Sequence, residues 1–401
     1  MSMKIMIAPL RYVQGPDALL QMGAQVEALG IRNPMVLVDP IARKDVEAPL
    51  AEGFRLRGIK HAFVDFEGEC TWTEIERVRG LCLTGGHDGM INCGGGKTLD
   101  TGRCVASGGA MNVEKTPPEV FVKLGAGVPC INVPTVAATD ASTSAASLVY
   151  ADNGTLEATI IFPSNPTMVL VDTSVIARAP VRLFVSGMGD ALATYFEADM
   201  CLRTSSPSVQ TGAQSTRAAQ ALARLCLDIL MDYGVQAKIE AEAHVPGSAL
   251  EAVIEANVLL SGLGFESGGL SAAHAVGHAF HHIRHLFERP LFHGELVAFG
   301  TLVQLVMEGR KTEFLDTIFS FCRAVGLPTS FLEMSLKSMT DEAVETVALV
   351  ASRDILIRSF MGARTERDGQ GRFFDHREIF RSLKAADAYG RATQARVGSW
   401  K

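Results

Sequence analysis

Short continuous apolar runs alternate with helical segments in the first half of the chain. Five such runs, bounded by Gly, Pro or Asp, predict strands over residues 33–40, 59–66, 89–95, 130–135 and 167–173. Continuous apolar character is expected of parallel strands that are covered on both faces. Segments with helical spacing, at 16–30 and 71–83, lie between them. This alternation predicts an α/β domain with a mainly parallel, Rossmann-like sheet.

From about residue 179 the pattern changes to long, Ala- and Leu-rich segments without strand punctuation. This texture predicts an all-helical second half. A chain of 401 residues is also longer than one ordinary hydrophobic core supports. We therefore predict an α/β domain over 1–178 and an all-α domain over 179–401, with the boundary near Ala179–Pro180.

Composition narrows the class of protein. A net charge of −7 argues against a nucleic-acid partner. No apolar run reaches the roughly 18 uncharged residues of a membrane span. The opening residues MSMKIMIAPLRYVQG lack the pattern of a signal peptide. The 8 cysteines are scattered without a CxxC pair, which is typical of reduced, packing thiols. We expect a cytoplasmic protein with no membrane or nucleic-acid partner.

A glycine-rich turn follows the third predicted strand. In CGGGKTLDTGR (93–103), Gly94, Gly95 and Gly96 stand between a strand and a predicted helix. Glycines allow the backbone to approach a ligand closely, and the N–H groups of a helix N-terminus attract phosphate. Lys97 adds a positive charge, and Asp100 can accept hydrogen bonds from an amide or a hydroxyl. The alternative is an ordinary strand-to-helix turn.

Asp39 ends the apolar run MVLVDP. An acid at such a strand end can bind an adenosine ribose and repel a 2′-phosphate, which favours NAD over NADP. Because Asp also commonly starts turns, this prediction depends on the neighbouring glycine turn.

The stretch HAVGHAFHHIRH (274–285) contains five histidines, out of 10 in the chain. On a continuous helix, four of them would share one face: His274, His278, His281 and His285. That stretch spans about 16 Å of helix axis, so one metal ion can reach at most an i, i+4 pair. The remaining histidines, with His282, are expected at the helix surface or in packing contacts. For any single histidine, a hydrogen-bonded, partly buried side chain is the plain alternative.

Two residues elsewhere can complete a metal site. His293 follows the helix-breaking Pro290, and Asp190 stands at the apparent start of a helix in GMGDALATYFEA. One Asp and two His leave an open coordination position, which a catalytic metal needs.

Several motifs together resemble the iron-containing alcohol dehydrogenase superfamily, and more closely its zinc-dependent glycerol dehydrogenase branch. They extend over nearly the whole chain in order and spacing: RYVQGPDAL, GGGKTLDTGR, PTVAATDASTSAASLVY, GMGDALATYFEA, GFESGGLSAAHAVGH, FHGELVAFGTLVQLV and AADAYGRA. The resemblance implies an N-terminal nucleotide-binding α/β domain, a C-terminal helical metal-binding domain, and an active site in the cleft between them.

The resemblance also assigns residues. It gives one divalent metal ion three ligands: Asp190, His274 and His293. It gives NAD nine contacts: Gly94, Gly95, Gly96, Lys97, Asp100, Thr135, Thr139, Ser144 and Tyr150. Asp140 is expected to contact the polyol. The metal would polarise the substrate hydroxyl, and NAD would accept hydride from its carbon.

The implied activity is NAD-dependent oxidation of a secondary hydroxyl of glycerol or a similar small polyol to the ketone, as in glycerol to dihydroxyacetone. Substrates are therefore small polyols or hydroxy ketones, and the family favours a homo-oligomer. The alternatives are a dehydrogenase or reductase of another small hydroxy compound, a dehydroquinate synthase-like lyase, and a binding protein with a decayed site. The lyase needs a basic pocket, for which the stretches near the ligands supply only Arg284 and Arg289.

Three features depart from one or other branch of the superfamily. Thr194 occupies the position of a fourth, histidine ligand in the iron enzymes, so zinc is favoured and iron is the alternative. His278 matches the pattern of the iron enzymes, which have a histidine at this position near the nicotinamide. His278 is therefore a candidate for proton relay. Residues 106–128 are longer than usual for the glycerol dehydrogenase branch and border the cofactor turn.

Overall fold

The structure, a computed structural model, describes residues 3–107, 112–114, 126–336, 339–365 and 372–398. The chain divides into two compact units. The sheet unit comprises Ile7–Pro180 and Glu240–Gly262, and the helical unit comprises Met1–Met6, Val181–Ile239 and Leu263–Lys401. Most of the predicted insertion at 106–128 lies outside the described residues.

The strands of the described residues are β1 Arg11–Gly15, β2 Pro34–Val38, β3 Ala62–Asp65, β4 Gly89–Gly94, β5 Asn112–Glu114, β6 Cys130–Pro134, β7 Ala146–Tyr150, β8 Leu156–Ile161, β9 Met168–Asp172, β10 Arg364–Thr365 and β11 Arg372–Phe373. The helices are α1 Met22–Ala28, α2 Arg43–Arg55, α3 Trp72–Thr84, α4 Gly96–Ala106, α5 Thr173–Ala177, α6 Val181–Arg203, α7 Arg217–Glu242, α8 Ser248–Glu255, α9 Ser261–Gly268, α10 Ala272–Ala279, α11 His293–Met307, α12 Thr312–Val325, α13 Asp341–Ala351 and α14 His376–Gly398.

A six-stranded parallel sheet forms the centre of the sheet unit, in the order β1-β9-β6-β4-β2-β3. Strands β2, β4, β6 and β9 are buried along their whole length, as their continuous apolar sequences require. The chain moves from β2 to β3 on one side and returns to β4 on the other, so the strand order reverses between β2 and β4. Ligands of open α/β sheets bind outside the carboxyl ends of the strands at such a switch point.

A second, antiparallel sheet in the order β5-β8-β7 was not predicted. In strand β7 only alternate residues are buried, and the sequence pattern did not predict a strand there. Edge strand β1 was also missed, because every residue of RYVQG is only partly buried and the segment has no apolar run.

The helical unit contains most of the predicted helical half, with the short antiparallel hairpin of β10 and β11 as an addition, but Glu240–Gly262 of that half groups with the sheet unit. The predicted architecture of a parallel α/β part and a helical part is thus confirmed. All 8 cysteines are free and buried, as expected of packing thiols. Among the described residues one helical run, Ser248–Gly268, is long and apolar enough to cross a membrane, but 72% of its most apolar window is buried inside the protein. Such burial is typical of a core helix.

Candidate active site

Three helices of the helical unit bring Asp190, His274 and His293 together. Asp190 lies in the middle of α6, His274 in the first turn of α10, and His293 is the first residue of α11. The Asp190 Oδ1 atom lies 3.3 Å from the Nε2 atom of each histidine. One ligand atom from each residue lies within 4.8 Å of the other two. The three residues form the candidate metal cluster.

Glycines beside the cluster allow the helices to approach this closely. A Cβ atom on Gly294, next to His293, would lie 1.8 Å from the backbone oxygen of Ser186 in α6. A Cβ on Gly189, next to Asp190, would lie 2.3 Å from the Gly294 oxygen. The same holds between α10 and α11, where a Cβ on Gly300 would lie 2.1 Å from the Ala273 oxygen. Backbone contact at these crossings sets the distances between the ligands.

The spacing of the cluster fits a bound cation. Two ligands at about 2.1 Å from a tetrahedral ion lie about 3.4 Å apart, close to the observed 3.3 Å. The Asp190 Oδ1 atom is buried and lies 3.3 Å from both Nε2 atoms without forming a hydrogen bond, and a buried acceptor without a hydrogen bond requires a partner of another kind. His274 is 9% exposed, whereas the His293 side chain is 35% exposed. The cluster therefore has a closed side and an open side.

The neighbouring charges in the cluster shift the pKa values of Asp190 and His274 in opposite directions. Burial raises the pKa of Asp190. The neighbouring His293 and His274 lower it by a larger amount, so the pKa of Asp190 lies below the ordinary value. Burial lowers the pKa of His274, but Glu197 and Asp190 raise it well above the ordinary value.

Glu197 contacts His274 on the side away from Asp190. Its Oε2 atom lies 2.6 Å from His274 Nδ1, and its Oε1 atom accepts the backbone N–H groups of Ser271 and His274 at 2.8 and 2.9 Å. Sequence reasoning missed Glu197. The only signal was its position seven residues after Asp190, which places both side chains on one face of α6.

His293 is held by a separate group. Glu295 accepts the backbone N–H of Phe292 at 2.7 Å and so caps the start of α11. Arg182, in the first turn of α6, donates to both oxygens of Glu295 at 2.8 and 2.7 Å and to the Pro290 oxygen at 2.8 Å. Neither Arg182 nor Glu295 was found from the sequence. Their bond ties the loop before His293 to the helix that carries Asp190.

His278 lies beside the cluster without joining it. Its ring centroid is 5.8 Å from those of both His274 and His293, and its Nδ1 is 3.7 Å from an oxygen of Asp354. Partial burial lowers the pKa of His278, whose side chain is 42% exposed, and Asp354 opposes this shift to a smaller extent. Asp354 was not predicted. The proton-relay role of His278 stays a prediction.

The helix that carries these histidines is shorter than expected. Helix α10 ends at Ala279, and residues Phe280–Leu286 form a 3-10 segment in which Ile283 is not helical. The predicted single face from His274 to His285 is therefore wrong. Three side chains are exposed, in agreement with the expected surface positions: His281, His282 and His285. Position 194 holds a buried threonine, four residues after Asp190.

The glycine turn lies at the switch point of the sheet. Gly94 ends β4, and Gly95 precedes the first turn of α4, which begins at Gly96. A Cβ on Gly95 or Gly96 would meet only one side-chain atom, at 3.8 Å, so its space is largely open. Asp39 follows β2 and its backbone N–H donates to Cys93 at 2.9 Å, which places it beside the turn. Its carboxylate accepts the N–H of Ile41 at 2.9 Å, as a turn-forming Asp does.

Lys97 and Asp100 already have partners in the structure. The Lys97 amine donates to Glu69 at 2.6 Å and is 59% exposed. Asp100 is buried, pairs with Arg103 at 3.0 Å and accepts the N–H of Leu148 at 3.2 Å. Burial raises the pKa of Asp100 to about 6 against the lowering effect of Arg103. Asp100 thus ties α4 to β7, and its predicted contact with NAD stays a prediction.

The remaining predicted residues lie after β6 or on β7. Thr135 is buried and donates its N–H to Gly94 at 3.1 Å, beside the glycine turn. Thr139 is half-buried, and its hydroxyl accepts the N–H of Ala141 at 3.3 Å. Ser144 is buried, and Tyr150 closes β7, where burial raises its pKa to about 12.

Asp140 accepts a hydrogen bond from the Ser261 hydroxyl at 2.7 Å. A π-helical turn, Ala256–Leu260, precedes Ser261 and presents the Val258 oxygen to the Thr143 hydroxyl at 2.6 Å. Such turns are rare and are often found at functional sites. The turn anchors the loop that carries Asp140, and the sequence did not indicate it.

A glycine turn at the switch point of a parallel sheet and an Asp-His-His cluster in a helical unit fit the class of metal-dependent dehydrogenases. Residues 9–173 match the model of the family described as iron-containing alcohol dehydrogenase. A glycerol dehydrogenase of Citrobacter freundii is 40% identical over 346 residues, which are 86% of this chain and 89% of the relative.

Two further relatives extend the comparison. A glycolaldehyde reductase of Halobacterium salinarum is 35% identical over 86% of this chain and 88% of its own length. The crystal structure of glycerol dehydrogenase from Schizosaccharomyces pombe covers 99% of this chain and 94% of its own, with 32% identity and a TM-score of 0.86. The chain therefore belongs to the iron-containing alcohol dehydrogenase family, in its glycerol dehydrogenase branch, and the predicted resemblance is confirmed.

Proposed function

We propose that this protein is an NAD-dependent and metal-dependent dehydrogenase that oxidises a secondary hydroxyl of glycerol, or of a similar small polyol, to the ketone. With glycerol the product is dihydroxyacetone. The observation that carries the proposal is the Asp190–His274–His293 cluster, with its tetrahedral spacing and open side, in a chain of the glycerol dehydrogenase branch.

Asp190, His274 and His293 would hold the metal. Once bound, a divalent ion in this place supplies Lewis-acid chemistry, which lowers the pKa of the substrate hydroxyl. Three protein ligands leave a fourth position for the substrate oxygen. Zinc is favoured over iron because Thr194 offers a hydroxyl where the iron enzymes have a histidine, and because two imidazoles and one carboxylate suit zinc.

The sheet unit would bind NAD, which accepts the hydride. We assign the pyrophosphate to the N-terminus of α4, with Gly94, Gly95, Gly96 and Lys97 around it. Asp39 would bind the adenosine ribose, which favours NAD over NADP. The other proposed contacts are those predicted from the sequence: Asp100, Thr135, Thr139, Ser144 and Tyr150.

Two residues are proposed to act on the substrate. Asp140 accepts hydrogen bonds and would orient a second hydroxyl, which favours a vicinal diol over a simple alcohol. His278, with its ring beside both histidine ligands, would take the proton that the substrate hydroxyl loses.

The experiment is an activity panel of small diols, hydroxy ketones and hydroxy acids with NAD(H) or NADP(H) and added zinc. We expect glycerol or a close diol with NAD to give the highest kcat/KM. Because the Halobacterium relative is a glycolaldehyde reductase, reduction of a small hydroxy aldehyde is the second candidate. Turnover with NADP alone would contradict the role of Asp39.

The metal assignment has its own test. His274→Ala and Asp190→Ala should abolish turnover while NAD still binds, and His285→Ala should not, because His285 is exposed outside the cluster. Retained activity in both ligand variants would refute the assignment. The domain roles proposed for 1–178 and 179–401, the cytoplasmic location and the homo-oligomer remain predictions.

A further inference from the structure

We propose that the buried carboxylate of Glu197 is a positioning group for the metal cluster: it orients the imidazole of His274 so that Nε2 faces Asp190. This inference rests on the proposed function, because it takes the cluster to be a metal site. It assigns a role to a residue of α6 that does not itself reach the ion.

The contacts of Glu197 concentrate on the start of α10. Its Oε2 atom lies 2.6 Å from Nδ1 of the His274 ring. Its Oε1 atom accepts two backbone N–H groups, from Ser271 at 2.8 Å and from His274 itself at 2.9 Å. Glu197 is 0% exposed, so water does not compete for these bonds. The carboxylate thus holds both the backbone and the ring of the same ligand.

The hydrogen-bonding capacity of a carboxylate fixes which ring nitrogen faces the ion. An ionised carboxylate only accepts, so it requires the proton of a neutral His274 ring to be on Nδ1. The lone pair of Nε2 then points to Asp190, at 3.3 Å. Histidine ligands whose second nitrogen donates to a carboxylate have a fixed orientation and higher basicity, and loss of that partner typically lowers metal affinity about 10–100-fold.

The competing explanation is that Glu197 only caps α10. A buried carboxylate at a helix N-terminus is favourable for the helix in any case. The protein contains a second side chain that accepts a backbone N–H at the start of α10 but does not contact the His274 ring. Gln304 of α11 is also 0% exposed, and its Oε1 atom accepts the backbone N–H of Ala273 at 2.9 Å. Gln304 therefore supplies a matched control.

The test compares Glu197→Gln with Gln304→Met. The amide of Glu197→Gln has the same shape and can still accept the two backbone N–H groups, but its NH2 group then faces Nδ1. That contact places the ring proton on Nε2, where the metal must bind. We expect zinc affinity to fall about 10–100-fold in Glu197→Gln and to stay at the wild-type value in Gln304→Met, whose metal-free form should melt at a lower temperature.

Zinc affinity is measured on metal-free proteins by competition with a chromophoric chelator, so the result does not depend on activity. Wild-type zinc affinity in Glu197→Gln, or an equal loss in Gln304→Met, would overturn the proposal. If Glu197→Gln does not fold, Glu197→Asp decides, because it keeps the charge but withdraws it from the ring by about 1.5 Å. An unchanged zinc affinity in Glu197→Asp would also overturn it. A wild-type protein that binds no zinc would instead contradict the proposed function.

Discussion

Replacing Gly294 by alanine should destroy the metal cluster without changing any ligand. The added Cβ would lie 1.8 Å from the backbone oxygen of Ser186 in α6. An ordinary contact needs about 3.4 Å, so α6 and α11 must separate by about 1.6 Å. Because His293 precedes Gly294 and Asp190 follows Ser186 by one turn, this shift moves the two ligands apart.

The expected loss can be worked from the coordination geometry. Metal–ligand distances tolerate about ±0.2 Å, so a displacement several times larger removes one ligand from the ion. We expect zinc affinity to fall on the order of 100-fold or more, beyond the usual effect of a supporting residue. Overpacking of the crossing should also cost about 1–3 kcal/mol of the free energy of unfolding.

The assay is zinc titration of the metal-free variant, together with its denaturant unfolding and its NAD affinity. Gly80→Ala in α3 is the control, because a Cβ there meets nothing within 4 Å. That control should leave zinc affinity unchanged and unfold at the same or a slightly higher denaturant concentration. If Gly294→Ala folds and binds zinc like the wild type, backbone contact at this crossing does not set the ligand distance, and the reasoning is refuted.

Three other predictions address the rest of the site. Gly96→Ala should fold normally, since its Cβ meets only Ala141 at 3.8 Å. The variant should raise the Kd for NAD at least about tenfold, because the methyl group occupies the space assigned to the pyrophosphate. Unchanged NAD binding in calorimetry would contradict this prediction. Arg182→Ala leaves the 4% exposed Glu295 carboxylate without its bidentate partner. The free energy of unfolding of the metal-free protein, measured with denaturant, should therefore fall by about 1–3 kcal/mol. An unchanged free energy of unfolding would mean that other contacts hold the start of α11. The pKa of His274 in the metal-free protein is raised well above its ordinary value, and zinc binds only the neutral ring. Zinc affinity should therefore rise as pH rises from 6 to 8 until that pKa is passed. A zinc affinity that does not change with pH would contradict this prediction.

The fold was predictable where burial leaves a pattern in the sequence. The continuous apolar runs of β2, β4, β6 and β9 identified a parallel sheet, because both faces of these strands are covered. Strand β1 is half-buried along its length and β7 alternates with exposed positions, so neither has such a run. The end of α10 at Ala279 was also missed, because no Gly or Pro directly follows Ala279 in the sequence to mark the end of a helix.

The site was predictable only at the level of its motifs. The three residues Asp190, His274 and His293 could be named from the sequence because side chains that bind metals are few and chemically distinct, and the structure brings them together. Glu197, Arg182 and Glu295 are common charged residues, and their importance comes from tertiary contacts between helices far apart in the sequence. A local pattern does not contain that information. The glycines at the helix crossings belong to the same group, because a sequence does not tell which glycine faces a neighbouring backbone.

The two histidines of the cluster are supported in different ways, and this difference indicates where substrate approaches. The His274 side chain is 11% exposed and is backed by the fully buried Glu197. The His293 side chain is 35% exposed and depends on a loop held by Arg182, which is itself 40% exposed. The fourth coordination position must be reached from solvent, so we expect it on the side of His293 and of the 42% exposed His278. On that side the substrate hydroxyl would lie between the ion and the imidazole proposed to accept its proton, whereas the Glu197 side of the cluster is closed by protein.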